Sequence, residues 1–362
     1  MEMKSAAEVY FGGPDQPVGY LRNVLEAYIA AVPAGGSIDW VTYYFRDLKL
    51  AEALIHARKR GVKVTVSLAG KPRTADANDA VIAMLSGPEG LGDDLRIVTF
   101  PGLPAPPGRT WAPQLHEKLY CFSHPKPIAF IGSFNPSGNH VEDRLDIIRE
   151  IGDQDKGYNT LIGLVDPVLV SQLVKYAHNL HKTPPGLFYR FSTDANEAIQ
   201  STDTTIHFWP RMRSHPVMQF LSKVSDNAHV RIFASHIRSE IAVNFMIGLA
   251  SRGVALEIFA EATHRRVTAK VEQRLLAAGI RFKRSRNAED LPMHLKLVLI
   301  EDRGQVWSIF GSFNWTNPSF WLNHEIAAIS SDPALFRVFS ERCDWIEKRD
   351  FVMPVQTDLV TA

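Results

Sequence analysis

Two stretches of this chain repeat one pattern. Residues 114–122 read Gln-Leu-His-Glu-Lys-Leu-Tyr-Cys-Phe and place His116 and Lys118 two apart at the head of an apolar run. A turn (Ser123-His124-Pro125-Lys126-Pro127) and a second apolar run follow, ending in Gly132-Ser133-Phe134-Asn135. Residues 293–314 do the same with His294, Lys296, the turn Asp302-Arg303-Gly304-Gln305, and Gly311-Ser312-Phe313-Asn314. Side chains alternate faces along a strand, so each His and Lys share one face while their neighbours face the other way. The turn folds the second run back as a hairpin and returns Ser and Asn to the His/Lys pair. One His-x-Lys carries little information. Two copies, each with Gly-Ser-Phe-Asn at 14 or 15 residues past the lysine (118 to 132, 296 to 311), constrain the fold strongly.

The surrounding sequence is duplicated as well. Helical spacing over Val18, Leu21, Val24, Leu25, Tyr28, Ile29 and Val32 is followed by a β-branched and aromatic strand at 38–45. A second apolar stripe (Leu50, Ala51, Leu54, Ile55, Ala57) stops at Gly61, and 62–66 alternates as another strand. A shift of 192 residues lays 38–66 on 230–258 without a gap, matching Arg46, Ile55, Arg60, Gly61 and Val62 with Arg238, Ile247, Arg252, Gly253 and Val254. Asp166-Pro167 and Asp332-Pro333 each open a helix, with Asp as N-cap and Pro at the first helical position. Residues 1–183 form a first half, 184–203 a polar, proline-containing linker, and 204–362 a second half. The expected fold is α/β: an internal duplication of a mixed, largely parallel β-sheet flanked by helices.

With 362 residues, 45% of them apolar, the chain is long enough for two cores, and Lys+Arg 40 against Asp+Glu 39 argues against bulk attraction to nucleic acid. Its two cysteines, Cys121 and Cys343, make no disulfide framework. The N-terminus lacks a secretory pattern and no apolar run reaches transmembrane length, so a cytoplasmic protein is expected, with peripheral membrane contact left open. His207, His215, His229 and His236 show no metal-ligand spacing with the cysteines.

The doubled His-x-Lys and Gly-Ser-x-Asn signature resembles the phospholipase D superfamily, over roughly residues 10–345. That resemblance implies two halves packed as a pseudo-twofold dimer within a monomer, with one active site at the seam. It implies phosphodiester cleavage through a phosphohistidine, with neither metal nor cofactor. His116 is expected as nucleophile and His294 as general acid/base. Lys118 and Lys296 would hold the phosphate oxygens as point charges, and Ser133, Ser312, Asn135 and Asn314 would donate hydrogen bonds to them.

The family's aspartate five residues past the lysine falls here on Ser123 and Glu301. Its Asn-x-Glu after the second motif matches Asn323-His324-Glu325, and Glu325 is expected to orient His294. Asn159-Thr160-Leu161 occupies the comparable place in the first half, with Leu for Glu. The missing acid is sought in the insertion holding Glu142, Asp143, Asp146, Glu150, Asp153 and Asp155, with Asp153 or Asp155 preferred.

The expected substrate is a phospholipid headgroup ester at a membrane surface, supported by the cluster Trp315, Phe320 and Trp321. A nuclease of the same superfamily is the alternative, favoured by the basic run Lys283-Arg284-Ser285-Arg286 with Arg265 and Arg266. A non-catalytic binder of phosphate esters is the third reading. Phe134 and Phe313 are expected in the core, opposite the polar face. Arg46 and Arg238 are balanced between substrate contact and solvated helix entry.

Overall fold

The computed structural model describes residues 7–74, 76–100, 103–104, 110–111, 113–136, 157–183, 196–211, 215–286 and 291–351. The strands of the first half are β1 Ala7–Phe11, β2 Ser37–Thr42, β3 Lys63–Ala69, β4 Leu95–Val98, β5 Leu103–Pro104, β6 Thr110–Trp111, β7 Lys118–Phe122, β8 Ile128–Gly132 and β9 Thr160–Leu164. Those of the second are β10 Ile199–Gln200, β11 Thr204–Trp209, β12 His229–Ala234, β13 Ala255–Ala260, β14 Arg281–Arg284, β15 Lys296–Asp302, β16 Gln305–Gly311 and β17 Glu325–Ser330.

One sheet runs β1-β9-β8-β7-β2-β3-β4 and the other β10-β11-β17-β16-β15-β12-β13-β14. Apart from β10, the second order repeats the first strand for strand. The 192-residue shift holds in the backbone: β2 and β12 begin at Ser37 and His229, and Lys63 pairs Ser37 as Ala255 pairs His229. β10 lies within the stretch read as linker and pairs with β11.

The sheets are mixed, but not largely parallel as the sequence suggested. Parallel pairing is confined to β2-β3-β4 and β12-β13-β14. The other pairs in both sheets are antiparallel. The β-α-β units require parallel neighbours, whereas the two motif hairpins bring antiparallel ones. The second hairpin turns at Arg303 and Gly304, both at positive φ (51° and 75°), with Asp302 opposite Gln305. That is the primed turn whose twist suits a two-residue hairpin.

Helices Leu48–Lys59 and Glu240–Ser251 occupy matching places, and Asp47 and Ser239 cap them at Leu50 N and Ala242 N. Asp166 and Asp332 cap Pro167–Lys182 and Pro333–Asp350 as the Asp-Pro pairs predicted. These last two helices lie in the central core. There Leu173 and Phe339 join Val41, Leu119 and Ile131 of one sheet to Phe233, Leu297 and Phe310 of the other. The outer faces form separate cores around Trp40 and Ile232. Phe134 and Phe313 belong to those outer cores, as the alternation predicted. Burying the inner faces against one another fixes the two halves as a pseudo-twofold pair.

Candidate active site at the seam

The start of β7 lies beside the end of β2 (Lys118 opposite Thr42), and the start of β15 beside the end of β12 (Lys296 opposite Ala234). Both motifs therefore open at one end of their sheets. The segments leading into them pair across the halves. Leu115 bridges His324, and Tyr158 bridges Met293. His116 N donates to His324 O at 2.9 Å and His294 N to Tyr158 O at 3.0 Å. These matched backbone bonds bring both motifs to the seam between the halves.

Each histidine is held by a residue of the opposite half. Glu325 Oε2 lies 2.8 Å from His116 Nδ1, and Asn159 Oδ1 lies 2.8 Å from His294 Nδ1. This corrects the expectation that Glu325 orients His294. It also corrects the alignment of Asn159. Ser312 N bonds Ile326 O and Ser133 N bonds Thr160 O, so Asn159 itself stands where Glu325 stands. The place sought for a substitute acid is filled by an amide. Glu142, Asp143, Asp146, Glu150, Asp153 and Asp155 lie outside the described residues. Since a carboxylate and an amide oxygen only accept, both Nδ1 atoms carry the proton and donate, which leaves Nε2 of each ring for chemistry.

The serines sit one step behind. Ser312 Oγ donates to Glu325 Oε2 at 2.6 Å, and Ser133 Oγ donates to Asn159 Oδ1 at 3.1 Å. Each hydroxyl also accepts from the next strand, from Ile326 N and Thr160 N respectively. Their protons are committed to the residues that hold the histidines, not offered to a phosphate as expected. The preceding glycines permit this closeness. A Cβ on Gly132 would stand 2.3 Å from Thr160 O, and one on Gly311 2.2 Å from Ile326 O.

Glu325 is fully buried, and its Oε1 accepts from Ser319 Oγ at 2.8 Å and Asn323 Nδ2 at 3.3 Å. Burial would raise its pKa, but the charge and hydrogen bond of His116, with Lys118 and Ser312, hold it below the usual value. The lysines are matched: Lys118 Nζ donates to His116 O at 2.7 Å and Lys296 Nζ to His294 O at 2.9 Å. Burial drives Lys118 down to about 7, against the opposing pull of Glu325 and Glu117. Burial lowers His116 too, with Glu325 pulling it back. His294 lies well below the ordinary histidine value through burial and the positive charges of Lys296, Arg266 and Lys118. Asn135 Oδ1 accepts from Tyr44 N at 3.4 Å, while the buried Asn314 Oδ1 has no hydrogen-bond partner among the described residues.

Other readings resolve by burial. Ser123 follows the far end of β7, and Glu301 faces His229 near the far end of β15, so both lie five residues along the chain from their lysines. At about 3.3 Å per residue that is roughly 16 Å along the strand from each lysine. Part of the basic run is engaged internally: Lys283 bonds Glu347, and Arg284 bonds Glu272 and Val267 O, while Arg265 and Arg286 are exposed. Arg266 is fully buried and donates to Ser235 Oγ. Trp315 and Phe320 are core, whereas Trp321 is 36% exposed.

Two residues beside the site gave no sequence signal. Tyr43 packs its ring against His116 (4.9 Å between centroids) with Lys118 Nζ over its face at 5.3 Å. Glu117, buried between His116 and Lys118 in sequence, accepts from Tyr176 OH.

Two histidines, two lysines and the buried Glu325 thus meet at the seam of a duplicated α/β fold. A family model described as the phospholipase D-like domain of cardiolipin synthase matches residues 31–160 and again 217–346. The chain belongs to this phospholipase D-like family. No curated protein matches it. Among solved structures, phosphatidylserine synthase of Haemophilus influenzae Rd KW20 superposes with TM-score 0.67 at 12% identity, covering 95% of this chain and 87% of that one. Polyphosphate kinase of Porphyromonas gingivalis superposes with TM-score 0.59 at 14% identity, covering 94% of this chain and 46% of that one. The chain thus spans under half of the kinase's length. At these identities the likeness is one of fold.

Proposed function

We propose that the protein is a phosphodiester hydrolase or phosphatidyl-type transferase that works through a phosphohistidine on His116, with phospholipid headgroup esters as its substrates. The observation that carries this reading is the unequal holding of the two histidines. Glu325 supplies His116 with a full negative charge, which stabilises the imidazolium character that develops when Nε2 bonds to phosphorus. Asn159 supplies His294 with a neutral acceptor, which leaves that ring readier to give up a proton.

In the first step the His116 Nε2 lone pair attacks phosphorus. The bond to the leaving oxygen breaks, and that oxygen takes the proton from His294 Nε2. In the second step water or an acceptor alcohol attacks phosphorus and gives its proton back to His294 Nε2, and the P–N bond breaks to free His116. Lys118 and Lys296 balance the growing charge on the non-bridging oxygens. Burial first, and then the positive charges of Lys296, Arg266 and Lys118, depress His294; a bound phosphodiester offsets those charges and so favours the protonated acid. The lysine pair supplies the charge stabilisation a divalent cation would give, and activity is expected in chelator.

The phospholipid class is supported by the family's description as cardiolipin synthase-like, by the phosphatidylserine synthase fold likeness over most of both chains, and by the internal pairing of Lys283 and Arg284 from the basic run that had favoured a nuclease. The test incubates the protein with mixed phospholipid vesicles and with plasmid DNA, both in EDTA. Headgroup release without nicking is expected. His294→Ala should slow turnover about 10²–10⁴-fold. Quenching turnover of phosphorus-labelled lipid in alkaline detergent, which preserves a P–N bond that acid would cleave, should trap label in His294→Ala and none in His116→Ala. Label retained by His116→Ala, or near-normal turnover in either variant, would overturn the assignment.

A further inference from the structure

Exposed large apolar side chains are unevenly distributed over the fold. Among the described residues they are Val18, Leu48, Val168, Ile241, Leu276 and Trp321. Val18 follows β1, Leu48 and Ile241 begin the helices after β2 and β12, and Trp321 lies between β16 and β17. All four connections emerge at the end of the sheets where the histidines stand, as the pairings Phe11–Thr160, Thr42–Lys118 and Ala234–Lys296 require. Each half contributes two. Val168 and Leu276 lie toward the opposite end.

The second half builds a groove there. Ile241 (49% exposed) and Trp321 (36%) line about 250 Å³ with Met218, Phe320 and His215. Trp321 ends the short helix Asn317–Trp321, whose Ser319 holds Glu325, so the groove is continuous with the site's own framework. The same end carries exposed Lys49, Lys71, Arg73, Arg238, Arg265 and Lys270, against exposed Asp15, Asp76, Asp79 and Glu240, of which Asp15 pairs with Arg342 and Glu240 with Arg274. Arg73 and Arg265 follow β3 and β13 at equivalent places, one from each half.

We propose that the active-site end of the two sheets is a membrane-docking face, with Ile241 and Trp321 entering the interfacial layer of an anionic phospholipid bilayer and the two-sided arginine pair resting on its headgroups. The inference deepens the phospholipid reading and rests on it. An apolar patch alone would suit many partners. A patch framed by basic residues and opening beside a phosphodiester site suits a surface that is apolar beneath an anionic layer. Indole at such a boundary keeps its ring in the acyl region and its N–H in the wet one. The arrangement presents the headgroup ester to His116 without withdrawing the lipid from the bilayer.

Sedimentation with vesicles tests this, using phosphatidylcholine alone and phosphatidylcholine mixed with phosphatidylglycerol. The full chain should partition onto the mixed vesicles and poorly onto the neutral ones. Ile241→Ser/Trp321→Ser should lose partitioning, and Arg73→Gln/Arg265→Gln should weaken it about fivefold per arginine. Val168→Ser/Leu276→Ser, at the far end, should bind as the unaltered protein does. Hydrolysis of a short-chain phospholipid dissolved as monomers should be unchanged in Ile241→Ser/Trp321→Ser. Hydrolysis of that monomer without vesicle partitioning, or equal partitioning by Ile241→Ser/Trp321→Ser, would overturn the docking face while the chemistry stands. Partitioning as expected without hydrolysis of any lipid would overturn the chemistry while the face stands.

Discussion

Asn159 Oδ1 stands 2.8 Å from His294 Nδ1, in the place where Glu325 stands 2.8 Å from His116 Nδ1 in the other half. The same backbone position thus delivers an amide to one imidazole and a carboxylate to the other. At this pair of residues a twofold scaffold has become chemically one-sided.

Replacing that amide by a carboxylate should change a pH profile more than a fold. His294 is held well below the ordinary histidine value by burial and by Lys296, Arg266 and Lys118. A negative charge at residue 159 favours the protonated ring, so Asn159→Asp should move the alkaline limb of kcat/KM to higher pH. Asn159→Leu removes the acceptor and should lower kcat by roughly 10–100-fold. A limb that stays fixed in Asn159→Asp would show that another group titrates there.

Glu325 accepts four hydrogen bonds in a fully buried place, from His116, Ser312, Ser319 and Asn323. Glu325→Gln keeps the shape and removes the charge, so kcat should fall about 10²–10⁴-fold with a smaller change in KM. Ser312→Ala leaves the carboxylate with three donors and should cost nearer tenfold, the scale of an outer-shell partner. Steady-state kinetics on the three proteins ranks the effects. Equal losses in Ser312→Ala and Glu325→Gln would mean that the serine touches the substrate.

His215 is buried among Trp209, Phe313 and Phe320, and neither ring nitrogen has a hydrogen-bond partner among the described residues. Burial pushes its pKa down to about 3, so the folded protein keeps the ring neutral. The unfolded chain takes up that proton below pH 6.5, so stability falls as pH drops from there, by up to about 1.4 kcal/mol per pH unit from this residue. His215→Phe should be more stable than the unaltered protein, with a gap that widens below pH 6.5. Thermal unfolding across pH 4–7 measures it (roughly the window in which histidine titrates).

Glu117 runs the other way. Burial raises its carboxyl to about 8, although the Tyr176 hydroxyl opposes this. The folded state then holds a proton that the unfolded chain releases above pH 4.5, so this contribution is full below 4.5 and is lost as pH rises through 8. Gln imitates the neutral acid at every pH. The stability of Glu117→Gln relative to the unaltered protein should therefore rise between those values and level off above about 8. Denaturant unfolding at several pH values checks the sign.

Much of this was legible in the order of residues. The hairpins, the Asp-Pro helix starts and the 192-residue shift follow from periodicity and turn chemistry, which act over a few residues, whereas the convergence of His116, Lys118, His294 and Lys296 at one seam came only from the family resemblance. The sheet direction was misjudged because β-α-β units announce themselves locally, while the antiparallel partners of β1 and β11 lie more than a hundred residues away.

The sequence by itself determined the inventory of the site and the existence of two matched halves. Only the tertiary structure decided who holds whom. Glu325 shares a half with His294 yet serves His116, and Asn159 shares a half with His116 yet serves His294. The insertion before Asn159 hides its equivalence to Glu325 from any count of spacing, and the strand register of Thr160 against Ile326 restores it. The reason is geometric. A strand can aim a side chain across a seam, but which side chain meets it there depends on the packing of the inner faces, and no short stretch of either half encodes that.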